Sequence, residues 1–149
     1  MAQFPDKRQE GAPVKVLFVC LGNSCRSPMA EAIARRQAAD VIEASSAGLT
    51  PLGRVAALAK QTLASNGYQG ENLESKPMMP SLWEAAELII NMTGRPRESL
   101  FRDWHKVEDW DVEDPYGTDP ELYQRILEDI EGRVRELAER LRRNGSKGS

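Results

Sequence analysis

Residues 14–20, VKVLFVC, are apolar at every position except Lys15, and they run without a break into LGNSCRSP. A strand with one wet face alternates apolar and polar residues, whereas a β-branched run that is apolar throughout is covered on both faces. Strands of that kind belong to parallel sheets, whose crossover connections are helices. The segments VIEASSA (41–47), closed by Gly48, and ELIINM (87–92) read as further strands, and HKVEDWDV (105–112) as a fourth with a ragged, acidic end.

Helical spacing fills the intervals. Ser27 offers an N-cap and Pro28 suits the first helical position, with Met29, Ile33 and intervening alanines continuing to about Ala39. Val55, Leu58, Thr62 and Leu63 form a second helix stopped by Gly67, and Ser81-Leu82-Trp83-Glu84 has the spacing of a capping box before a short one. A helical stretch near 95–103 follows. Thr118-Asp119-Pro120-Glu121 then starts a long amphipathic helix whose stripe is Leu122, Ile126, Ile130, Val134, Leu137 and Leu141. The expected fold class is α/β: a single domain with a central four-stranded parallel sheet and helices on both faces, Rossmann-like. The 149 residues suffice for one such domain. Its expected limits are 13–143, between a flexible N-terminal arm (1–12) and a flexible tail (144–149).

Charge and composition remove several functions. A net charge of −3 argues against general nucleic-acid binding, which needs a basic excess. No apolar run approaches the ~20 residues of a membrane span, and MAQFPDKRQEGAP lacks the apolar core of a secretory signal, so a cytoplasmic protein is expected. With two cysteines and one histidine, His105, a structural zinc site is not expected. Taken alone, the thiols of Cys20 and Cys25 are equally those of buried, reduced cysteines.

Their setting points further. In open parallel sheets ligands bind at the carboxyl ends of strands, where VCLGNSCRSP lies. A strand–loop–helix with glycine in the loop lets successive N–H groups converge on an anion, and the helix N-terminus adds positive potential. Gly22 permits a positive φ, Asn23 braces the curve, and Arg26 supplies a fork matched to two phosphate-type oxygens. The Walker pattern and its lysine are absent. A thiol among such donors is favoured as the thiolate, and a thiolate beneath a phosphoryl group is placed for in-line attack. Cys20 and Arg26 give the spacing C-x5-R-S.

CLGNSCRSPMAE resembles the signature of the low-molecular-weight protein tyrosine phosphatase family, and the likeness extends from about Val14 to Leu141. The resemblance implies the family's phosphatase loop after the first strand, no cofactor, no metal, and a phosphorylated protein as partner. It implies Cys20 as nucleophile, Arg26 as phosphate clamp, and Ser27 as donor to the departing thiolate. Leu21, Gly22, Asn23, Ser24 and Cys25 complete the phosphate-binding loop, with Cys25 able to form a reversible disulfide with Cys20. The family's acid-proline-aromatic element matches Asp114-Pro115-Tyr116, making Asp114 the general acid and Tyr116 a pocket wall. Asp114 lies in the acidic run EDWDVED, where repulsion between carboxylates favours a retained proton.

Some positions differ from the usual family pattern. Many members carry a histidine after the second helix that braces the loop asparagine and serine; here that segment is NLESKP, although Ser46 matches the serine of the same network. DPYG followed by ELYQR is similar to bacterial members, including protein arginine phosphatases, which usually have threonine where Ser24 stands. Tyrosine-specific members commonly carry a bulky aliphatic residue there. The expected function is hydrolysis of protein phosphotyrosine through a cysteinyl phosphate, by a monomer. A protein arginine phosphatase is the alternative, and an arsenate reductase using an external thiol a second one. The thioredoxin-coupled reductases need further cysteines outside the loop, which this chain lacks. A non-catalytic phosphate-binding module would need neither a thiolate nor an acid.

Overall fold

The computed structural model describes residues 12–115 and 119–147. Its strands are β1 (Val14–Cys20), β2 (Ile42–Gly48), β3 (Leu88–Asn91) and β4 (Val107–Asp109). Its helices are α1 (Arg26–Gln37), α2 (Ala57–Ser65), α3 (Pro80–Ala85), α4 (Arg97–Leu100) and α5 (Pro120–Lys147), with a tight helical turn at Trp104–Lys106. The strands form one parallel sheet in the order β2-β1-β3-β4, with Cys20 opposite Gly48 and Val19 opposite Asn91.

Alternation along β1 divides the core. Val14, Val16, Phe18 and Cys20 face the layer of α1, α2 and α5, while Leu17 and Val19 join Ile89, Phe101 and Val107 on the other side. Both faces are therefore covered, as an apolar β1 requires. Helix α1 lies between the sheet and α5 and is buried from Arg26 to Ala34. On α5 the expected stripe is buried from Ile126 to Leu141 and is widened by Tyr123, Leu127 and Ala138, with Leu122 half-buried.

Local boundaries differ from expectation for identifiable reasons. Ser27 is not an N-cap: α1 begins at Arg26 with Cys25 at the cap position, and the Ser27 hydroxyl instead faces Cys20 and Asn23. Ser81 and Glu84 lie inside α3, because Pro80 opens that helix one residue earlier with Met79 as its N-cap. The stretch 95–103 condenses to the short α4, before the turn at Trp104–Lys106. Strand β4 stops at Asp109; Trp110 gives one more hydrogen bond to Asn91 O (2.9 Å) before the chain leaves the sheet. Helix α5 continues to Lys147, past the expected boundary at Arg143. Residues 1–11, which hold most of the expected arm, lie outside the described residues. Among the described residues no helix is long and apolar enough to cross a membrane.

Candidate active site

The chain leaves β1 for α1 at the point where neighbouring connections diverge, β2 on one side and β3 on the other. That divergence opens a crevice above the carboxyl end of β1, and residues 21–25 fill it. Asn23 sits there at φ 46°, in the left-handed region that non-glycine residues seldom occupy. Glycine serves this curve by close approach rather than by positive φ. A Cβ on Gly48 would stand 2.7 Å from Asn23 N, and one on Gly22 would stand 3.0 Å from Leu52 Cγ.

The loop's carbonyls are drawn outward. Leu49 N–H donates to Cys20 O (3.2 Å), Thr50 N–H to Leu21 O (2.8 Å), Leu52 N–H to Gly22 O (3.0 Å) and Ala56 N–H to Ser24 O (2.7 Å). Because a trans peptide sets C=O and N–H on opposite sides, this outer template turns the loop's amides inward. Helix α1 has no side-chain N-cap, so the N–H groups of its first turn remain available to a ligand. Together they make an anion cradle from backbone alone.

At the base of the cradle is the buried thiol of Cys20, with Ser27 Oγ 3.0 Å from its Sγ. Asn23 Nδ2 donates to Ser27 Oγ at 2.8 Å, and Asn23 Oδ1 accepts from Lys76 N–H at 2.6 Å. With Asn23 filling a lone pair on Ser27, the serine proton is free to point at sulfur. The expected part for Ser46 is corrected: its hydroxyl donates to Glu31, a buried carboxylate also paired with Arg35, and the brace on Asn23 comes from the Lys76 main chain.

Arg26 is 5% exposed and anchored from behind, its Nη1 donating to Met92 O (2.7 Å) and Val112 O (3.3 Å). Its Nε is buried without a hydrogen-bond partner among the described residues and stands 3.5 Å from Asp114 Oδ1. A buried donor left open in this way is costly unless a ligand takes it. The charged partner beside Asp114 is thus Arg26, rather than the carboxylates of the acidic run. Cys25 Sγ also points at Asp114 Oδ1, at 3.9 Å.

Burial pushes the Cys25 thiol up to about 12, with Cys20 and Asp114 repelling its thiolate. Cys25 therefore keeps its proton at any working pH, because a raised value favours the neutral form below it. Iodoacetamide between about pH 6 and about pH 9 should alkylate Cys20, in a reaction blocked by phosphate, and leave Cys25 unmodified. Peptide mapping checks this, and labelling of both thiols at equal rates would contradict it.

Cys20, Leu21, Gly22, Ser24, Cys25 and Arg26 line one cavity of about 280 Å³ with Thr50, Leu52, Asp114, Pro115 and Tyr123. The structure thus gathers Cys20, Arg26 and Asp114 on one space, with Asn23 and Ser27 immediately behind. Tyr116 lies outside the described residues. A larger groove of about 650 Å³ between α1, α2 and residues 68–73 holds none of these groups, so chemistry and not volume marks the site. Sequence reading missed Thr50 and Leu52, which reach the cavity only through the template segment 49–56. It also missed Tyr123, which the α5 periodicity leaves off the apolar stripe and which nevertheless lines the cavity. Burial raises the Tyr123 phenol, with Cys25 and Asp114 adding to it, so it stays neutral.

A family model described as low molecular weight phosphotyrosine protein phosphatase matches residues 15–147. The chain is 32% identical to a protein-arginine-phosphatase of Bacillus subtilis, over 87% of this chain and 97% of that protein. It is 30% identical to an arsenate reductase of the same organism, over 83% of this chain and 94% of that one. A solved low molecular weight protein tyrosine phosphatase from T. tengcongensis superposes with a TM-score of 0.78 at 32% identity, over 86% of this chain and 99% of that one.

Proposed function

The chain belongs to the low molecular weight phosphotyrosine protein phosphatase family, and on that premise we propose that it hydrolyses protein phosphotyrosine in two steps through a phosphocysteine on Cys20. The observation that carries this reading is the thiol itself: Cys20 Sγ lies at the base of a backbone anion cradle, 3.0 Å from a hydroxyl that can stabilise it as an anion.

In the first step the Cys20 thiolate attacks phosphorus, an S–P bond forms, and the bond from phosphorus to the tyrosine oxygen breaks. Asp114, in its acid form, gives its proton to that oxygen. The inward amides and Arg26 bear the charge on the equatorial oxygens, the open Nε being available as a further donor. In the second step Asp114 takes a proton from water as the water attacks phosphorus. Sulfur departs as thiolate, receiving the Ser27 hydrogen bond, and inorganic phosphate is released. Asn23 orients Ser27 for that role and touches no reacting atom. Cys25 is protonated and outside the attack; its part is to capture an oxidised Cys20 as a disulfide. The peptide mapping described above reads this out after peroxide and again after dithiothreitol.

For substrate class, Leu52 and Pro115 offer apolar surface at the cavity, suited to an aromatic ring. Leu52 is 70% exposed, so most of its apolar surface is open to an incoming group. A second reading, phosphoarginine, is favoured by Ser24, a small polar residue on the cavity wall whose hydroxyl makes no hydrogen bond among the described residues. Such a hydroxyl is free to accept from a guanidinium, and a buried polar contact of this kind is worth ~1–3 kcal/mol when one partner is removed. Ser24→Ile should depress phosphoarginine turnover selectively and Ser24→Thr should raise it. Proportional change in both substrates would make Ser24 a packing residue. An arsenate reductase would need an external thiol, since both cysteines of the chain are in the loop. Rates with phosphotyrosine peptide, phosphoarginine protein, and arsenate plus thiols, taken side by side, test the proposal. Phosphotyrosine should be fastest, and an inert phosphotyrosine peptide would refute the main reading.

A further inference from the structure

The Gly22–Asn23 peptide is the point at which the cradle is most easily spoiled. Gly22 has no side chain to fix its orientation, and Asn23 already occupies the left-handed region at φ 46°. If that peptide plane turned over, Gly22 C=O would face the anion and Asn23 N–H would face away. One donor would be replaced by one repelling acceptor.

Two donors oppose this. Leu52 N–H reaches Gly22 O at 3.0 Å, and Ser75 Oγ–H reaches the same oxygen at 3.1 Å. Ser75 Oγ in turn accepts from Gly53 N–H at 3.2 Å, so one hydroxyl ties the catalytic loop to the outer template. The next residue, Lys76, holds the Asn23 side chain, and its carbonyl is pinned by Gly48 N–H at 2.8 Å. The segment carrying Ser75 is therefore attached to the end of β2. Ser75 is half-buried and does not line the catalytic cavity.

We infer that Ser75 is a positioning residue: its hydroxyl latches the Gly22–Asn23 peptide in the anion-receiving orientation, and so sets the fraction of unliganded protein that is ready to bind phosphate. The inference rests on reading the loop as a phosphate cradle. Once phosphate is bound, its own contacts hold the peptide, so the latch governs binding and leaves the chemical step alone. Apparent affinity falls by the fraction of ready protein.

Ser75→Ala should raise KM for an aryl phosphate and the dissociation constant for inorganic phosphate by the same factor, about three- to tenfold, with kcat within twofold of wild type. Ser75→Thr, which keeps the hydroxyl, should restore both. Calorimetric titration with inorganic phosphate and steady-state kinetics on the same preparations read this out. The titration requires no turnover, so it decides the latch even if phosphotyrosine is not a substrate. Should Ser75→Ala fail to fold, Ser75→Cys, with its weaker donor, carries the same test. Unchanged phosphate affinity and KM, with or without a lower Tm, would overturn the inference. So would a fall in kcat alone.

Discussion

Cys20→Ser should lose turnover by several orders of magnitude while its affinity for inorganic phosphate stays near that of wild type. The two halves of this result have separate origins. On the proposed mechanism phosphate affinity would come from backbone amides held by the template 49–56 and from Arg26, none of which the substitution touches. On the same proposal turnover would come from sulfur, which is a strong nucleophile as a thiolate and a good leaving group in the second step. A serine hydroxyl in the same place stays protonated, and among the described residues the side-chain hydrogen-bond partner at that position is Ser27, held by Asn23, and not a base. Each tenfold loss corresponds to about 1.4 kcal/mol of barrier, and closing the covalent route removes many such steps. Activity within tenfold of wild type in this variant would contradict the account.

Asp114→Asn should give the second-largest effect, and one that depends on the leaving group. Loss of a general acid commonly costs about 10²–10⁴ in rate where a proton must be delivered, and almost nothing where the leaving group is stable as an anion. Alkyl and weakly acidic phenyl phosphates should therefore slow strongly, and nitrophenyl-type esters far less. A further sign is specific to this site. Asp114 Oδ1 lies 3.5 Å from Arg26 Nε, and whenever it is the carboxylate it would compete with a bound dianion for the guanidinium. The neutral asparagine should then bind inorganic phosphate more tightly than wild type does. Equal slowing across the leaving-group series would remove Asp114 from the acid role, and weaker phosphate binding would contradict the competition.

The parts of this site that were legible in the sequence are those encoded in contiguous residues. β1 was readable because six of the seven positions of Val14–Cys20, all but Lys15, are apolar and report burial on both faces, and the loop because C-x5-R-S is a local spacing. The order β2-β1-β3-β4 was not written in any one segment, since it depends on which strand edges pair. Helix starts were misplaced where a polar side chain had two possible uses. Ser27 resembles an N-cap by identity, but its hydroxyl serves Cys20, and the helix end stays open for a ligand. Ser46 has the right identity for the bracing network, yet its bond runs to Glu31. The groups that shape the cradle from outside act through backbone atoms: the amides of Leu49, Thr50, Leu52, Ala56 and Lys76. A sequence records side chains, so a main-chain template of this type leaves no signature. Ser75 acts by its side chain and still escaped notice, because its partners, Gly22 O and Gly53 N, are again backbone.

The same logic explains why the two thiols diverge. Cys20 ends a strand beneath open amides, whereas the half-buried Cys25 faces the carboxylate of Asp114 at 3.9 Å. On the proposed mechanism the first is the nucleophile while the second keeps its proton, although both residues lie in a single short loop. Residue identity could not separate them; their surroundings do.

The most direct test of the central claim is to look for the phosphorylated enzyme during turnover. Wild type, Cys25→Ser and Cys20→Ser would be mixed with an aryl phosphate bearing a good leaving group, denatured rapidly at alkaline pH, and digested for peptide mapping. A phosphate group on Cys20 in the first two proteins, formed no more slowly than turnover and absent from the third, is the result predicted here. Turnover with no phosphate on Cys20, or with phosphate carried on another residue, would contradict it.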